Sequence, residues 1–215
     1  MSDQTKKRFG VDENKPTEWF ETLYSETDQK GEGIPWANMA PHPIFKQWID
    51  KKTHLGDGKT ALVIGCGLGD DAIELESQGF NVTAFDVSSS AIELCKKRFP
   101  NSNVTFLQAD LLKGIPEWHR KFDFVLEIFT IQALPPKYEN ILIQNISDFV
   151  SEKGMLMIIT EINKEERTFE KGPPWLLNSQ YIKSFEKCGL KSIYHSSDQK
   201  PEFGEELHLT LFQRD

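Results

Sequence analysis

The sequence predicts an α/β fold: a doubly wound, mostly parallel sheet of about seven strands with an antiparallel last strand. Three observations carry that expectation. Short, nearly continuous apolar runs recur from Thr60 to Thr160 and are separated by helical segments, the pattern of strands covered on both faces. The stretch LVIGCGLGDD (62–71) joins the first of these runs to a helix through glycines at every second position. The last two runs, 191–197 and 206–213, have no helix between them, so they pair as antiparallel neighbours through a turn around Gly204.

Residues 1–15 are polar and expected to be mobile. PTEWFETLYSET (16–27) reads as a short helix with proline near its start. GEGIPWANMAPHP (31–43) is loop-like, carries Trp36, and leads into a second helix over 44–51. TALVIG (60–65) is a buried strand, and DDAIELESQG (70–79) is a helix closing on Gly79. NVTAFDV (81–87) is a strand; SSSAIELCKKRF (88–99) is a helix with a serine cap and basic residues in its last turn. NVTFLQAD (103–110) and FDFVLEIF (122–129) are strands, 136–150 a helix, GMLMIIT (154–160) a strand and 178–188 a helix ending at Gly189. Residues 1–57 are thus an N-terminal helical cover and 58–215 the core of a single domain.

The 215 residues suffice for one sizeable core, and 38% hydrophobic with 27% charged residues indicates a globular chain. A net charge of −8 argues against sequence-independent nucleic-acid binding, so no nucleic-acid partner is expected. Cys66, Cys95 and Cys188 form no CxxC, and the five histidines show no metal-ligand spacing; neither a disulfide framework nor a metal site is expected. The first ten residues lack the apolar stretch of a signal peptide, and no apolar run approaches the ~20 residues that span a bilayer. A reduced cytoplasm and no membrane partner are the expectation. Oligomeric state is open.

Gly65, Gly67 and Gly69 form GxGxG after a strand and before a helix. A dinucleotide fingerprint wants G-x-G-x-x-G/A, but position 70 is Asp70; the G-K-[ST] of a phosphate loop is missing too. Asp70 and Asp71 at the helix N-terminus suit its dipole and would repel a pyrophosphate, which favours a cationic or zwitterionic ligand. Asp86 ends the next strand, where a carboxylate either accepts both hydroxyls of an unphosphorylated ribose or caps the helix behind it. Asp110 ends the third strand, where it either receives an adenine amino group, with Leu111 over the ring, or caps a turn.

The set VIGCGLG (63–69), FDVS (85–88), QADLL (108–112) and VLEIF (125–129) resembles the class I S-adenosylmethionine-dependent methyltransferases. That resemblance covers about 58–215 and implies a Rossmann-like sheet of seven strands with a reversed last strand. It implies S-adenosyl-L-methionine as cofactor, held by Gly65, Cys66, Gly67, Gly69, Asp86, Val87, Asp110, Leu111 and Glu127. GIPW (33–36), PHP (41–43) and GPPW (172–175) further resemble the thiopurine, thiol and halide branch. There, aromatics ahead of the core cover the methionine part of the cofactor, a role matched by Trp36 and, less closely, by Trp19 and Tyr24. Trp175, on a rigid loop tip, and Thr130, behind the fourth strand, are the acceptor candidates.

Each feature has a plainer reading. The glycines can serve a tight turn, Cys66 can be a small buried side chain, Trp175 can be core, and Glu127 can hold the cofactor amino group, act as a base, or be a paired buried acid. The segment after the fourth strand has EIFT and ALPP in place of N-P-P-Y or D-P-P-Y, which points away from base or amide N-methylation. The function expected is methyl transfer to a small molecule, such as a thiol, halide or other soft nucleophile; the alternatives are a cofactor-binding regulatory protein without turnover and a nicotinamide-dependent oxidoreductase. No catalytic residue is assigned.

Overall fold

The computed structural model describes residues 10–52, 54–198, 201–202 and 204–215. Its seven strands are β1 (Thr60–Ile64), β2 (Asn81–Asp86), β3 (Thr105–Gln108), β4 (Phe122–Ile128), β5 (Val150–Ile162), β6 (Leu190–Asp198) and β7 (Glu206–Arg214), in the sheet order β3-β2-β1-β4-β5-β7-β6. The helices that bear on the argument are α1 (Glu18–Ser25), α2 (Pro43–Ile49), α3 (Asp70–Ser77), α4 (Ser89–Arg98), α5 (Glu139–Phe149) and α6 (Tyr181–Lys187). Contacts divide the chain into two compact units: residues 17–110, and residues 111–215 with the segment ending at Pro16. Among the described residues no helix is long and apolar enough to cross a membrane, and no cluster of metal-ligating side chains occurs.

In the first unit, β1 pairs in parallel with β2 and β2 with β3. Ala61, Leu62, Val63 and Ile64 are all buried, as a strand covered on both faces requires. The Ser88 hydroxyl caps α4 by accepting the Ala91 N–H at 3.1 Å, and Lys96, Lys97 and Arg98 fill its last turn, so both ends of the helix dipole are complemented. The third strand is shorter than its apolar pattern suggests. Glu76 and Ser102 accept the Asn103 and Val104 N–H groups and withdraw them from the ladder.

In the second unit, β4 and β5 are parallel, while β7 runs antiparallel to both β5 and β6. The expected final antiparallel pair is present, and β7 lies between β5 and β6. Strand β5 extends past 160 because β7 pairs with it through Ile162. Its polar residues Thr160 and Glu161 are buried with partners: Gln132 Oε1 accepts the Thr160 hydroxyl at 2.7 Å, and the Glu161 carboxylate accepts the N–H groups of Glu202 and Gly204 at 2.7 and 2.9 Å. Helix α6 starts later than expected, at Tyr181, because the Asn178 side chain accepts the Gln180 N–H at 2.9 Å and forms a turn.

Residues 1–9 of the tail expected to be mobile lie outside the described residues. The remainder is held: Asp12 bridges Lys15, and Tyr138 donates to the Glu13 carbonyl at 3.0 Å. Lys137 reaches Asn14 Oδ1 at 2.8 Å.

Candidate functional site

The chain leaving β1 turns through Gly65, Gly67 and Gly69 at φ of 58°, 52° and 90°, a left-handed conformation that side chains resist. The loop is pinned from several sides. Cys66 N–H donates to the Phe85 carbonyl at 2.9 Å, and the Cys95 thiol donates to the Gly67 carbonyl at 3.1 Å. A Cβ on Gly67 would lie 2.9 Å from the Tyr24 hydroxyl. A hydrogen bond with Cys95, then burial, push the half-buried Cys66 thiol well above its usual range, which disfavours a thiolate there.

Asp86 stands at the end of β2, 6% exposed, where its Oδ2 accepts the Gly67 N–H at 3.0 Å and its Oδ1 the Ser88 N–H at 2.9 Å. Burial raises its pKa to about 6 against the pull of these donors. An ionised carboxylate has about four acceptor positions, so both oxygens keep capacity for further donors. Val87 is fixed by the Gln108 side-chain amide, which donates to its carbonyl at 3.0 Å. Asp110 is half-buried, two residues past the end of β3.

The repulsion expected from Asp70 is not available. Arg98 binds it with two hydrogen bonds of 2.7 and 2.8 Å, a bidentate pair that compensates its charge. Asp71 accepts the His42 N–H at 2.7 Å, and burial lifts its pKa to about 6. It anchors the segment ahead of α2 rather than filtering ligands by charge. Arg98 also donates to the Leu68 carbonyl, so its guanidinium is committed to Asp70 and the loop backbone.

Three aromatics gather in this unit. Trp19 is buried, stacks on Phe20 and meets Trp36 edge to face at 6.1 Å. Trp36 is 43% exposed, and its indole N–H donates to the Tyr24 hydroxyl at 3.3 Å. Tyr24 thus touches both Trp36 and the glycine loop. Sequence reasoning ranked it below Trp36 because no local signal announces that double contact.

In the second unit Glu127, at the end of β4, is 1% exposed. Its Oε1 accepts the N–H groups of Thr130 and Ile131 at 2.6 and 3.0 Å, while its buried Oε2 has no partner. Burial raises its pKa to about 7 against those two donors. The turn that holds it passes through Phe129 at φ 61°, a costly conformation for a bulky residue. Thr130 is half-buried and Leu111 buried at the start of a 3₁₀ turn. Trp175 is not at an exposed loop tip. It is 2% exposed, stacks on Phe169 at 5.6 Å, and satisfies its indole N–H on the Phe169 carbonyl at 3.0 Å. Its backbone N–H donates to the Gln132 carbonyl and its carbonyl accepts Arg167 Nη2 at 2.8 Å. These local bonds turn the indole inward, where it borders a cleft of ≈220 Å³ that Arg167, Thr168 and Pro174 also line.

A family profile described as a methyltransferase domain matches residues 61–154, from β1 into β5. Residues 61–154 thus carry a methyltransferase domain, and the chain has the fold of the class I S-adenosylmethionine-dependent methyltransferases. Among curated relatives, it is 27% identical over 186 residues to the probable thiol methyltransferase 2 of Arabidopsis thaliana, covering 81% of this chain and 79% of that protein. It is 25% identical to the 2-phytyl-1,4-naphtoquinone methyltransferase of a Nostoc species, covering 82% and 80%. Two solved structures share the fold of this methyltransferase. One, from work on converting a disulfide bond into a thioacetal group during echinomycin biosynthesis, gives a TM-score of 0.72 at 21% identity over 93% of both chains. The other is the N-methyltransferase NodS of Bradyrhizobium japonicum with S-adenosyl-L-homocysteine, with a TM-score of 0.70 at 17% identity over 90% and 95%. S-adenosylmethionine suits the first unit of this methyltransferase: the glycine turn leaves its backbone bare, the buried Asp86 has acceptor capacity for a neutral sugar, and aromatic surface stands beside the loop.

Proposed function

We propose that this methyltransferase acts on a small, partly apolar acceptor with a soft nucleophilic atom, foremost a thiol. The observation that carries the acceptor class is the likeness to a probable thiol methyltransferase across about four-fifths of both chains. The net charge of −8 points the same way by disfavouring a polyanionic acceptor.

In this reading the backbone of Gly65, Cys66, Gly67 and Gly69 approaches the cofactor, Asp86 and Val87 meet its ribose, and Asp110 and Leu111 meet its adenine. Trp19 and Trp36 cover its methionine end. Glu127 receives its ammonium group, and Thr130 and Trp175 contact the acceptor. S-adenosylmethionine supplies an activated methyl group when bound. The protein's task is alignment and exclusion of water. A thiolate or halide presents its electron pair without a base, so the reading needs no catalytic acid or base.

A second reading, a phenol or quinol acceptor, is favoured by Glu127. An unpartnered carboxylate oxygen with a pKa of about 7 suits proton removal near neutrality, and one relative is named for a naphthoquinone. The deciding experiment is a labelled-methyl transfer assay across thiols, halides, phenols, reduced quinones, amines and RNA, run with wild type and Glu127→Gln. At saturating S-adenosylmethionine, thiol turnover that survives Glu127→Gln supports the first reading, and quinol turnover abolished by it supports the second. Turnover confined to RNA or protein amines refutes both. Cofactor binding without any turnover returns the non-catalytic alternative.

A further inference from the structure

Glu21 has no role in the site as described, yet its carboxylate takes three hydrogen bonds from the start of α4. Its Oε2 accepts the Ser88 hydroxyl at 2.7 Å and the Ser90 N–H at 3.2 Å, and its Oε1 accepts the Ser90 hydroxyl at 2.6 Å. Ser88 caps α4 and Ser90 lies in its first turn, just behind Asp86. The Ser88 hydroxyl already accepts the Ala91 N–H, so its single proton is directed at Glu21. Burial alone would raise the Glu21 pKa, and the serine donors outweigh it and lower it. The group is therefore an anion at a helix N-terminus, which the dipole favours.

Three residues further along α1, on the same helix face, Tyr24 places its hydroxyl against Gly67 and under the Trp36 indole. One short helix thus grips the first unit at two points. Glu21 holds the α4 terminus, whose Ser88 N–H binds Asp86, and Tyr24 holds the glycine loop, whose Gly67 N–H binds the same Asp86. Freed from α4, α1 would lose the register that puts Tyr24 and Trp36 beside the glycines.

We propose that Glu21 is a positioning residue for the cofactor: its clamp on Ser88 and Ser90 fixes α1 so that Tyr24 and Trp36 stand at the glycine loop. This rests on the reading of that loop as the cofactor site. The test is calorimetric titration of the full chain with S-adenosylhomocysteine, for wild type, Glu21→Ala, Glu21→Gln, Ser90→Ala and the double variant Glu21→Ala/Ser90→Ala. Glu21→Ala is expected to weaken binding about tenfold, with KM for S-adenosylmethionine rising by a similar factor and kcat at saturating cofactor little changed. Ser90→Ala is expected to weaken binding less, and the double variant no more than Glu21→Ala alone, since both remove one interaction. Glu21→Gln, which keeps the length and one acceptor oxygen, is expected to recover part of the loss and remains the probe if Glu21→Ala does not fold. A lower melting temperature with unchanged cofactor affinity in Glu21→Ala and Glu21→Gln would overturn the proposal and leave Glu21 a purely structural tie. Wild type that binds no S-adenosylhomocysteine would bring down the cofactor-site reading itself, a different failure from wild-type binding that the variants leave untouched.

Discussion

Glu127→Gln should gain stability relative to wild type as the pH rises. The wild-type carboxyl is buried, and its pKa is raised from 4.5 to about 7. The folded state therefore holds the proton more tightly than the unfolded chain, and stability falls as pH rises from the unfolded value through the folded one. A gap of this size costs roughly 1 kcal/mol at pH 5 and roughly 3 kcal/mol at pH 8. Glutamine keeps an oxygen for the Thr130 and Ile131 N–H groups and cannot ionise. Its amide NH₂ replaces an oxygen without a partner, which adds an offset independent of pH. Urea unfolding of both proteins at pH 5, 6, 7 and 8 should show the variant's relative stability climbing by roughly 2 kcal/mol across the series. That corresponds to about 4–8 °C in melting temperature for a chain of this size. A stability difference that is flat with pH would refute the reasoning, because it would mean that Glu127 titrates alike in the folded and unfolded chains.

Asp86→Ala removes the acceptor shared by the Gly67 and Ser88 N–H groups and should weaken S-adenosylhomocysteine binding roughly ten- to a hundredfold by calorimetry in a protein that still folds. Gly67→Ala places a methyl 2.9 Å from the Tyr24 hydroxyl at φ 52°, so thermal unfolding should show a loss of about 1–3 kcal/mol. Adding Tyr24→Phe should restore part of that loss, since it removes the opposing oxygen and leaves the backbone strain. Arg214→Leu removes a donor from the carbonyls of Ser147, Val150, Cys188 and Gly189 and should cost about 2–4 kcal/mol in denaturant unfolding.

Much of the architecture could be read from local pattern. The apolar runs of β1, β2 and β4, the serine cap of α4 and the helix-free link between β6 and β7 are short-range signals, and each stands where expected. The misjudged boundaries share one cause. At Asn103, Asn178 and Glu161 a polar side chain pairs with backbone 27, 2 and 41 residues away, which decides whether an element stops or continues. The glycine turn and the place of Asp86 at the end of β2 were legible because both follow from order along the chain. The pairing of Asp70 with Arg98 spans 28 residues, and that of Glu21 with Ser90 spans 69. No composition or periodicity announces either. Trp175 does stand on the loop that G-P-P implies; its carbonyl and indole partners, which no local pattern marks, bury it there.

Strand β7 is an interior strand, hydrogen-bonded on one side to β5 and on the other to β6. During synthesis β6 therefore emerges with no ladder to join, and the far side of β5 stays open until Glu206–Arg214 has left the ribosome. Until then both strands present unsatisfied edges, the condition under which nascent chains pair with one another. Premature termination ahead of β7 would leave a chain unable to bury β6, and such fragments should appear in the insoluble fraction rather than as a smaller working protein.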